Sequence, residues 1–370
     1  MKRIIINGGN GYVASNFISE LLGRNYEVIS LVRERHKFSA EERMKEALSD
    51  INGNEYIKPD NLKVYSYSLC DRDFSMPEGH LKDIFNEDVD YFHFAASLKY
   101  DLKSKDEIFK TNVEGVENAI KVYLKYAKSN SRFFLIGTAY SCGRFSGLFE
   151  EKFYDNEDIS MFRNYYEQSK RFAENVVKKY IGDNRINGHI IRLSQVVGNS
   201  QSGATKTDYG IFDFAKRVYS LAYRYPDRTI KVCVDPNSTQ NLIPINTVID
   251  GLIRIAATDK VPEIINFTAK NPIKNSHIIN SINRLLPTNL IPVKYLDSKE
   301  MNAIERIIAA GMSFTGNYTD SDILFDTKKR DMIFPVSDND VTEDTIFRML
   351  KYFIADLACK KQTKTDCCYY

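Results

Sequence analysis

Apolar and polar positions alternate by segment along the first third of this chain. Arg3–Ile6 reads as a short buried strand and ends at a Gly/Asn cluster. Tyr12–Leu22 has the apolar rhythm of a helix, which Gly23 stops. Glu27–Val32 is a second strand, Ala40–Leu48 a helix, Leu62–Tyr67 a third strand and Val89–Phe94 a fourth. Ile108–Ala127 reads as one long helix and Arg132–Ile136 as a fifth strand. Such alternation predicts an α/β fold, a doubly wound parallel sheet with helices on both faces, and ligands at the carboxyl ends of the strands.

The later chain is less regular. His189–Arg192 reads as another buried strand. Ile243–Ile255 begins extended and turns helical, and Ile264–Thr268 is a late strand. Thr342 can cap a helix near 342–360 whose apolar stripe is Ile346, Met349, Leu350, Phe353, Ile354 and Leu357. The expected division is a domain over residues 1–200 and a smaller C-terminal lobe over 201–370, with 240–270 returning to the sheet.

Composition narrows the function classes. The chain has 370 residues, 43% hydrophobic, enough for a sizeable core. Its 51 Lys+Arg nearly balance 49 Asp+Glu, so no global charge favours nucleic acid or an anionic membrane. The N-terminal apolar run is Ile4–Ile6 only, too short for a signal peptide, and no segment is long enough to span a membrane. Cys70, Cys142, Cys233, Cys359, Cys367 and Cys368 lack metal-ligand spacing and point to reduced thiols and a cytoplasmic location. The terminal CCYY lacks the aliphatic middle of a prenylation signal and reads as a frayed tail.

The first candidate chemistry is NGGNGYVA, residues 7–14, between a strand and a helix. Gly9, Gly11 and Ala14 fit one dinucleotide-loop register, and Gly8, Gly11 and Ala14 fit another. Either way, glycine allows a tight turn close to a pyrophosphate, and the helix N-terminus offers N–H groups and a positive dipole end. Gly8, Asn10, Gly11, Tyr12 and Val13 are the candidate contacts. An ordinary strand–helix turn would leave the same residues without a ligand. After the second strand, SLVRERHK supplies Arg33 and Arg35 where an NAD-binding chain would carry an acid. Guanidinium suits a 2′-phosphate, which favours NADP(H) over NAD(H), unless both arginines only face water.

The second is Tyr166 and Lys170, a Y-x-x-x-K pair in NYYEQSK. On a helix this spacing sets both on one face, where an ammonium can lower the phenol's pKa from near 10. Tyr165 competes in principle, but Ser169, not Lys, stands four residues after it.

With the glycine loop and this pair in place, the sequence resembles an extended short-chain dehydrogenase/reductase. It is most similar to the fatty acyl-CoA reductase and thioester reductase branch. The matches run in order over about residues 3–330: NGGNGYVA; LVRER with the AEERMKEAL helix; DYFHFAAS; DEIFKTNVEGVENAI; GTAYSCGRFSGLFEE; NYYEQSKRFAE; IIRLSQVVGNSQSG; and LIPINTVIDGLI. The resemblance implies an NAD(P)-binding Rossmann fold and a Thr-Tyr-Lys oxidoreductase. It places Thr138 as the hydroxyl that holds the substrate oxygen, Tyr166 as proton donor, Lys170 on the nicotinamide ribose and Asn112 in the active-site helix and its proton relay. Ser68 and Leu69 take the adenine position, Ala95, Ala96 and Ser97 line the cofactor, and Ser194, Val196 and Val197 meet the nicotinamide end.

Three positions depart from the family pattern: Ser68 where an Asp is usual, Leu193 for a Pro and Asn246 for an Asp. Read without the resemblance, Thr138 is a structural strand end, Asn112 a helix-start cap and His93 a packing histidine.

The implied reaction is reduction of an acyl thioester of CoA or a carrier protein to aldehyde or alcohol, with NADPH as hydride source. The rivals are a ketone or alcohol dehydrogenase, a sugar-nucleotide epimerase or dehydratase, and, from another class, a regulator that senses NADP(H) without catalysis. A homodimer is compatible with all of them. Tyr209 and Phe212 are candidate pocket walls, with core packing as the alternative, and residues 311–327 are a candidate closing segment.

Overall fold

The computed structural model describes residues 1–52, 59–311, 318, 323–334 and 341–366, with backbone alone for 52, 311 and 361–366. The chain forms two compact units. The first comprises Met1–Ser194, Val248–Phe267 and Leu324–Pro335; the second comprises Gln195–Thr247, Thr268–Ile323 and Val336–Tyr370. The first unit therefore runs to Ser194 rather than to 200, and the chain re-enters it twice, over a narrower stretch than 240–270 and again near 330.

Seven parallel strands build the first unit. They are β1 (Lys2–Asn7), β2 (Tyr26–Val32), β3 (Leu62–Ser66), β4 (Val89–His93), β5 (Arg132–Thr138), β7 (Gly188–Leu193) and β12 (Ile264–Phe267), in the order β12-β7-β5-β4-β1-β2-β3. Their apolar runs are continuous because both faces are covered, and β4, β5 and β7 are buried throughout. Aromatic pairs in register lock β4 to β5: Tyr91 stacks on Phe133 at 5.3 Å between ring centroids and Phe92 on Phe134 at 4.4 Å. A short pair, β6 (Leu148–Phe149) and β15 (Leu324–Phe325), lies outside the main sheet.

The helices of this unit are α1 (Tyr12–Leu22), α2 (Ala40–Asn52), α3 (Glu78–Ile84), α4 (Lys105–Phe109), α5 (Gly115–Tyr126), α6 (Tyr165–Gly182) and α11 (Lys328–Ile333). Ser39 and Glu42 start α2 with a capping box: Ser39 N donates to Glu42 Oε2 at 2.7 Å and Glu42 N to Ser39 Oγ at 3.2 Å. The expected single helix from Ile108 is not uniform. A π-turn, Lys110–Glu114, separates α4 from α5, and Asn112 sits inside it. Widened turns of this kind are frequent at functional sites.

The ends of the sheet differ in chemistry. At the amino ends, Arg132 makes a bidentate pair with Asp90 at 2.7 and 2.6 Å, and Lys2 reaches Asp90 at 2.8 Å. The carboxyl ends of β1, β4, β5 and β7 carry Asn7, His93, Thr138 and Leu193 and lead into the candidate site. The strand order reverses between β1 and β4, the switch point where open α/β sheets bind ligands.

The second unit holds β8 (Gln195–Val197), β9 (Arg228–Cys233), β10 (Thr239–Gln240), β11 (Leu242–Pro244), β13 (Ile273–Lys274) and β14 (Thr288–Val293), paired two by two. Its helices are α7 (Ile211–Arg224), α9 (Asn275–Leu285), α10 (Ala303–Gly311) and α12 (Glu343–Asp366); α8 (Ile245–Ala257) begins here and ends in the first unit. Thr342 Oγ1 accepts from Thr345 N at 3.3 Å and caps α12, whose Ile346, Met349, Leu350 and Phe353 join this unit's core. Phe212 packs in the same core against Phe353 at 5.2 Å, whereas Tyr209 is exposed. Most of the expected closing segment, 311–327, lies outside the described residues. Sequence patterning missed α3, α9, α10 and the β9–β14 pair.

Candidate active site

The glycine loop follows β1 at the switch point. Gly8 has φ +65°, and a Cβ there would stand 2.9 Å from Ala95 N, in the segment after β4. A Cβ on Gly9 would meet Ser30 Oγ of β2 at 2.0 Å. The loop thus needs glycine twice, once for conformation and close approach and once for approach alone. Gly11 is the N-cap of α1; no side chain caps it, and no acid lies in the first turn. An uncapped helix start beside a glycine cradle suits an anionic phosphate group.

A buried polar network supports the loop from below. Asn7 Oδ1 accepts from Phe94 N at 2.8 Å and Ala95 N at 3.0 Å, while Nδ2 donates to Tyr91 Oη at 3.0 Å and His93 Nδ1 at 2.9 Å. His93 Nε2 donates to Ala95 O at 3.1 Å. Burial, with the Lys170 charge second, pushes His93 down to about 3, so the ring is neutral and works as packing. These bonds fix the backbone of Phe94 and Ala95, and Ala95 N lies against Gly8 of the loop.

Arg33 and Arg35 are exposed just after β2. Arg43, on α2, donates from Nη1 to Arg33 O, and its own pKa is lowered by burial and then by the charges of Arg35 and Arg33. Three guanidinium groups therefore crowd one place. Sequence reading stopped at Arg35, because Arg43 looks like one more charge on a solvated helix face. Ser68 and Leu69 follow β3. The Ser68 hydroxyl hydrogen-bonds the Asp71 carboxylate, so the two residues share the place where one Asp was expected. Leu69 packs against Gly115, where a Cβ would stand 2.7 Å from its Cδ2.

Asn112 is buried and does not cap a helix start. Its Oδ1 accepts from Ser97 N at 2.7 Å, and its Nδ2 donates to Ser97 O at 3.1 Å and to Ser169 Oγ at 2.9 Å. Ser169 Oγ donates in turn to Tyr166 O at 2.8 Å. One side chain thus joins the segment after β4, the π-turn and α6. Nothing in the local sequence singles out Ser169.

Asn164 caps α6 by accepting from Glu167 N at 2.9 Å. Tyr165 turns toward α4, edge-on to Phe109 and under the Lys105 ammonium at 5.1 Å. Tyr166, half-buried, stands one turn before Lys170. Lys170 is 5% exposed and donates from Nζ to Ile136 O at 3.3 Å, its single hydrogen bond among the described residues. Burial pushes its pKa down to about 8, against the pull of Glu174. Thr138, at the end of β5, accepts from Tyr140 N at 3.2 Å and donates to Leu193 O at 3.3 Å. Ser194 Oγ is buried with no partner among the described residues. An ammonium with one of its three donors engaged and an orphaned hydroxyl are groups that a polar ligand can complete. Val196 and Val197 belong to the second unit, in β8, where Val197 is in the core.

The model of the family described as Male sterility protein matches residues 6–252, two thirds of the chain. The chain belongs to this family. It is of the extended short-chain dehydrogenase/reductase type. It is 28% identical over 213 residues to anthocyanidin reductase of Arabidopsis thaliana, covering 54% of this chain and 57% of that relative, so the match spans little more than half of the relative's length. The terminal R domain of the myxalamid PKS-NRPS biosynthetic pathway has the same fold, with TM-score 0.77 at 14% identity over 96% of this chain and 91% of that one. A thiolation-reductase di-domain from an archaeal non-ribosomal peptide synthetase gives TM-score 0.72 at 16% identity, over 95% of this chain and 75% of that one. UDP-glucuronic acid 4-epimerase from Bacillus cereus, solved in complex with NAD, gives 0.65 at 16% identity, over 95% and 96%. Among the described residues, no helix is long and apolar enough to cross a membrane.

Proposed function

We propose that this reductase uses NADPH to reduce an acyl thioester, of CoA or of a carrier protein, to an aldehyde or alcohol. The observation that carries the catalytic part is the buried Lys170 ammonium, hydrogen-bonded to Ile136 O two residues before Thr138 and one helical turn after Tyr166. The thioester part is supported by family membership and by the fold shared with a thiolation-reductase di-domain.

Gly8, Asn10, Gly11, Tyr12 and Val13 would hold the pyrophosphate at the start of α1. Arg33 and Arg35, with Arg43 behind them, would pair with the 2′-phosphate, the basis for NADPH over NADH. Ser68 and Leu69 would flank the adenine. Ala95, Ala96 and Ser97 would pass along the cofactor, and Ser194 would meet its nicotinamide end. When bound, the nicotinamide supplies a hydride to the carbonyl carbon. Thr138, its hydroxyl turned from Leu193 O to the substrate oxygen, would donate a hydrogen bond there, and Tyr166 would give that oxygen a proton as negative charge develops. Lys170 would hold ribose hydroxyls with the N–H groups not spent on Ile136, and its charge would favour the phenolate of Tyr166. Asn112 ties the segment after β4 to α6 through Ser97 and Ser169. From a thioester, the resulting hemithioacetal loses thiol to give the aldehyde.

The test is incubation with NADPH and panels of acyl-CoA, acyl-carrier, ketone and aldehyde substrates, followed at 340 nm. Turnover of thioesters is expected. Turnover of simple ketones or aldehydes with none of any thioester would leave an NADPH-dependent carbonyl reductase and discard the thioester.

A further inference from the structure

Lys170 and Glu174 lie one turn apart on α6, 5% and 1% exposed. The Lys170 ammonium reaches Ile136 O, and the Glu174 carboxylate lies beside the next residue of β5. A Cβ built on Gly137 would stand 3.5 Å from Glu174 Oε1. The two charged heads thus come to consecutive positions of one strand. The carboxylate is also a junction. Ser141 Oγ donates to Oε1 at 2.8 Å, Arg192 Nε to Oε1 at 3.0 Å and Arg192 Nη2 to Oε2 at 2.7 Å. Arg192, fully buried on β7, also donates to Glu150 O and Lys152 O at 3.2 and 3.0 Å. Ser141 stands in the 3₁₀ turn that begins directly after Thr138.

We propose that Glu174 is a positioning residue whose ionised carboxylate holds Lys170 in its ammonium form and ties the turn after Thr138 to α6. This rests on the reading of Lys170 as a site residue and not on the identity of the substrate. An ion pair that merely filled the core would serve Arg192 alone. The surroundings of Lys170 give the carboxylate a second task. From β4 it faces His93, which is neutral above about pH 3. From its own helix it faces Tyr166 and Glu174. Ile136, Gly137 and Thr138 on β5 carry no charge, and Arg192 on β7 is engaged by Glu174. Among the described residues, Glu174 is the anion that opposes the cost of burying the ammonium.

The test reads Lys170 directly, without cofactor or substrate. Protein labelled with ¹³C at lysine Cε is titrated by NMR, and the Lys170 signal is assigned by its loss in Lys170→Arg. In the wild type it should titrate near pH 8, apart from the surface lysines near 10.4. Glu174→Gln should lower the midpoint by about one pH unit or more. Glu174→Asp should restore it, and Ser141→Ala, which cuts the tether without removing charge, should leave it in place. If Glu174→Gln does not fold by circular dichroism, the double variant with Arg192→Met strands neither charge and is read in the same way. An unchanged midpoint in the folded variant overturns the proposal. Failure of thioester turnover would leave this result as it stands.

Discussion

Lys170 donates its hydrogen bond to Ile136 O at 3.3 Å, which puts the ammonium behind the strand end that bears Thr138. Its pKa near 8 means that the ammonium is present below that pH and lost above it. Rate constants for carbonyl reduction should therefore fall as pH rises through about 8. Tyr166→Phe should lower kcat/KM by about 10²–10⁴ while NADPH binding, read by its fluorescence, stays close to wild type. Equal losses in binding and turnover would remove Tyr166 from the chemistry.

Arg43 gives a test of cofactor choice that spares Arg33 and Arg35. Its guanidinium is on α2 and holds Arg33 O. Arg43→Ala should raise KM for NADPH by about 10-fold or more, as expected for a lost charged hydrogen bond, and change KM for NADH little. Parallel changes for both cofactors would mean that Arg43 only shapes the loop.

Gly8→Ala should be far more damaging than its single methyl suggests. The new Cβ would press on Ala95 N at 2.9 Å from a backbone with φ +65°. A cost of about 1–3 kcal/mol in denaturant unfolding is expected, with loss of NADPH binding. Gly147→Ala has a comparable φ of +97° but nothing within 4 Å, so it isolates the conformational part.

Acid should destabilise the first unit through its buried histidines. His93 and His189 have folded pKa values near 3 and 4, below the ordinary 6.5, so the unfolded chain binds protons first. Their stabilising share is complete above about pH 6.5 and is lost as pH falls through 6.5 toward 3. His93→Gln should lower stability at neutral pH yet flatten its fall between pH 6.5 and 4, by on the order of 1–3 kcal/mol at the acid end. Melting temperature against pH is the measurement, and an unchanged slope would exclude His93 as the source.

The sheet was legible because its strands are buried on both faces, so Ile4–Ile6 and Phe133–Ile136 show as unbroken apolar runs. Helix α1 was legible from its period and from Gly23 after it. The β9–β14 pair was not, since Arg228–Cys233 is exposed at four of its six positions. The π-turn was not, because K-T-N-V-E has no local mark that separates it from an α-helix. Within the site, the Y-x-x-x-K spacing pointed to Tyr166 and Lys170, and the family resemblance to Thr138. Arg43, Ser169 and Glu174 were missed because their roles depend on partners that only the folded chain brings near.

The first unit re-enters the chain twice, and this orders its assembly in time. Glu151 is buried at 2% exposure, and its carboxylate accepts from Asn266 N at 2.9 Å, Lys329 N at 2.5 Å and Arg330 N at 3.2 Å. On the ribosome, an acid made early waits for donors made much later, and β12 joins β7 only after the intervening Gln195–Thr247 has emerged. A nascent chain halted at Ser194 would carry an open sheet edge at β7 and an unsatisfied carboxylate. No single cut of the chain therefore separates the two units.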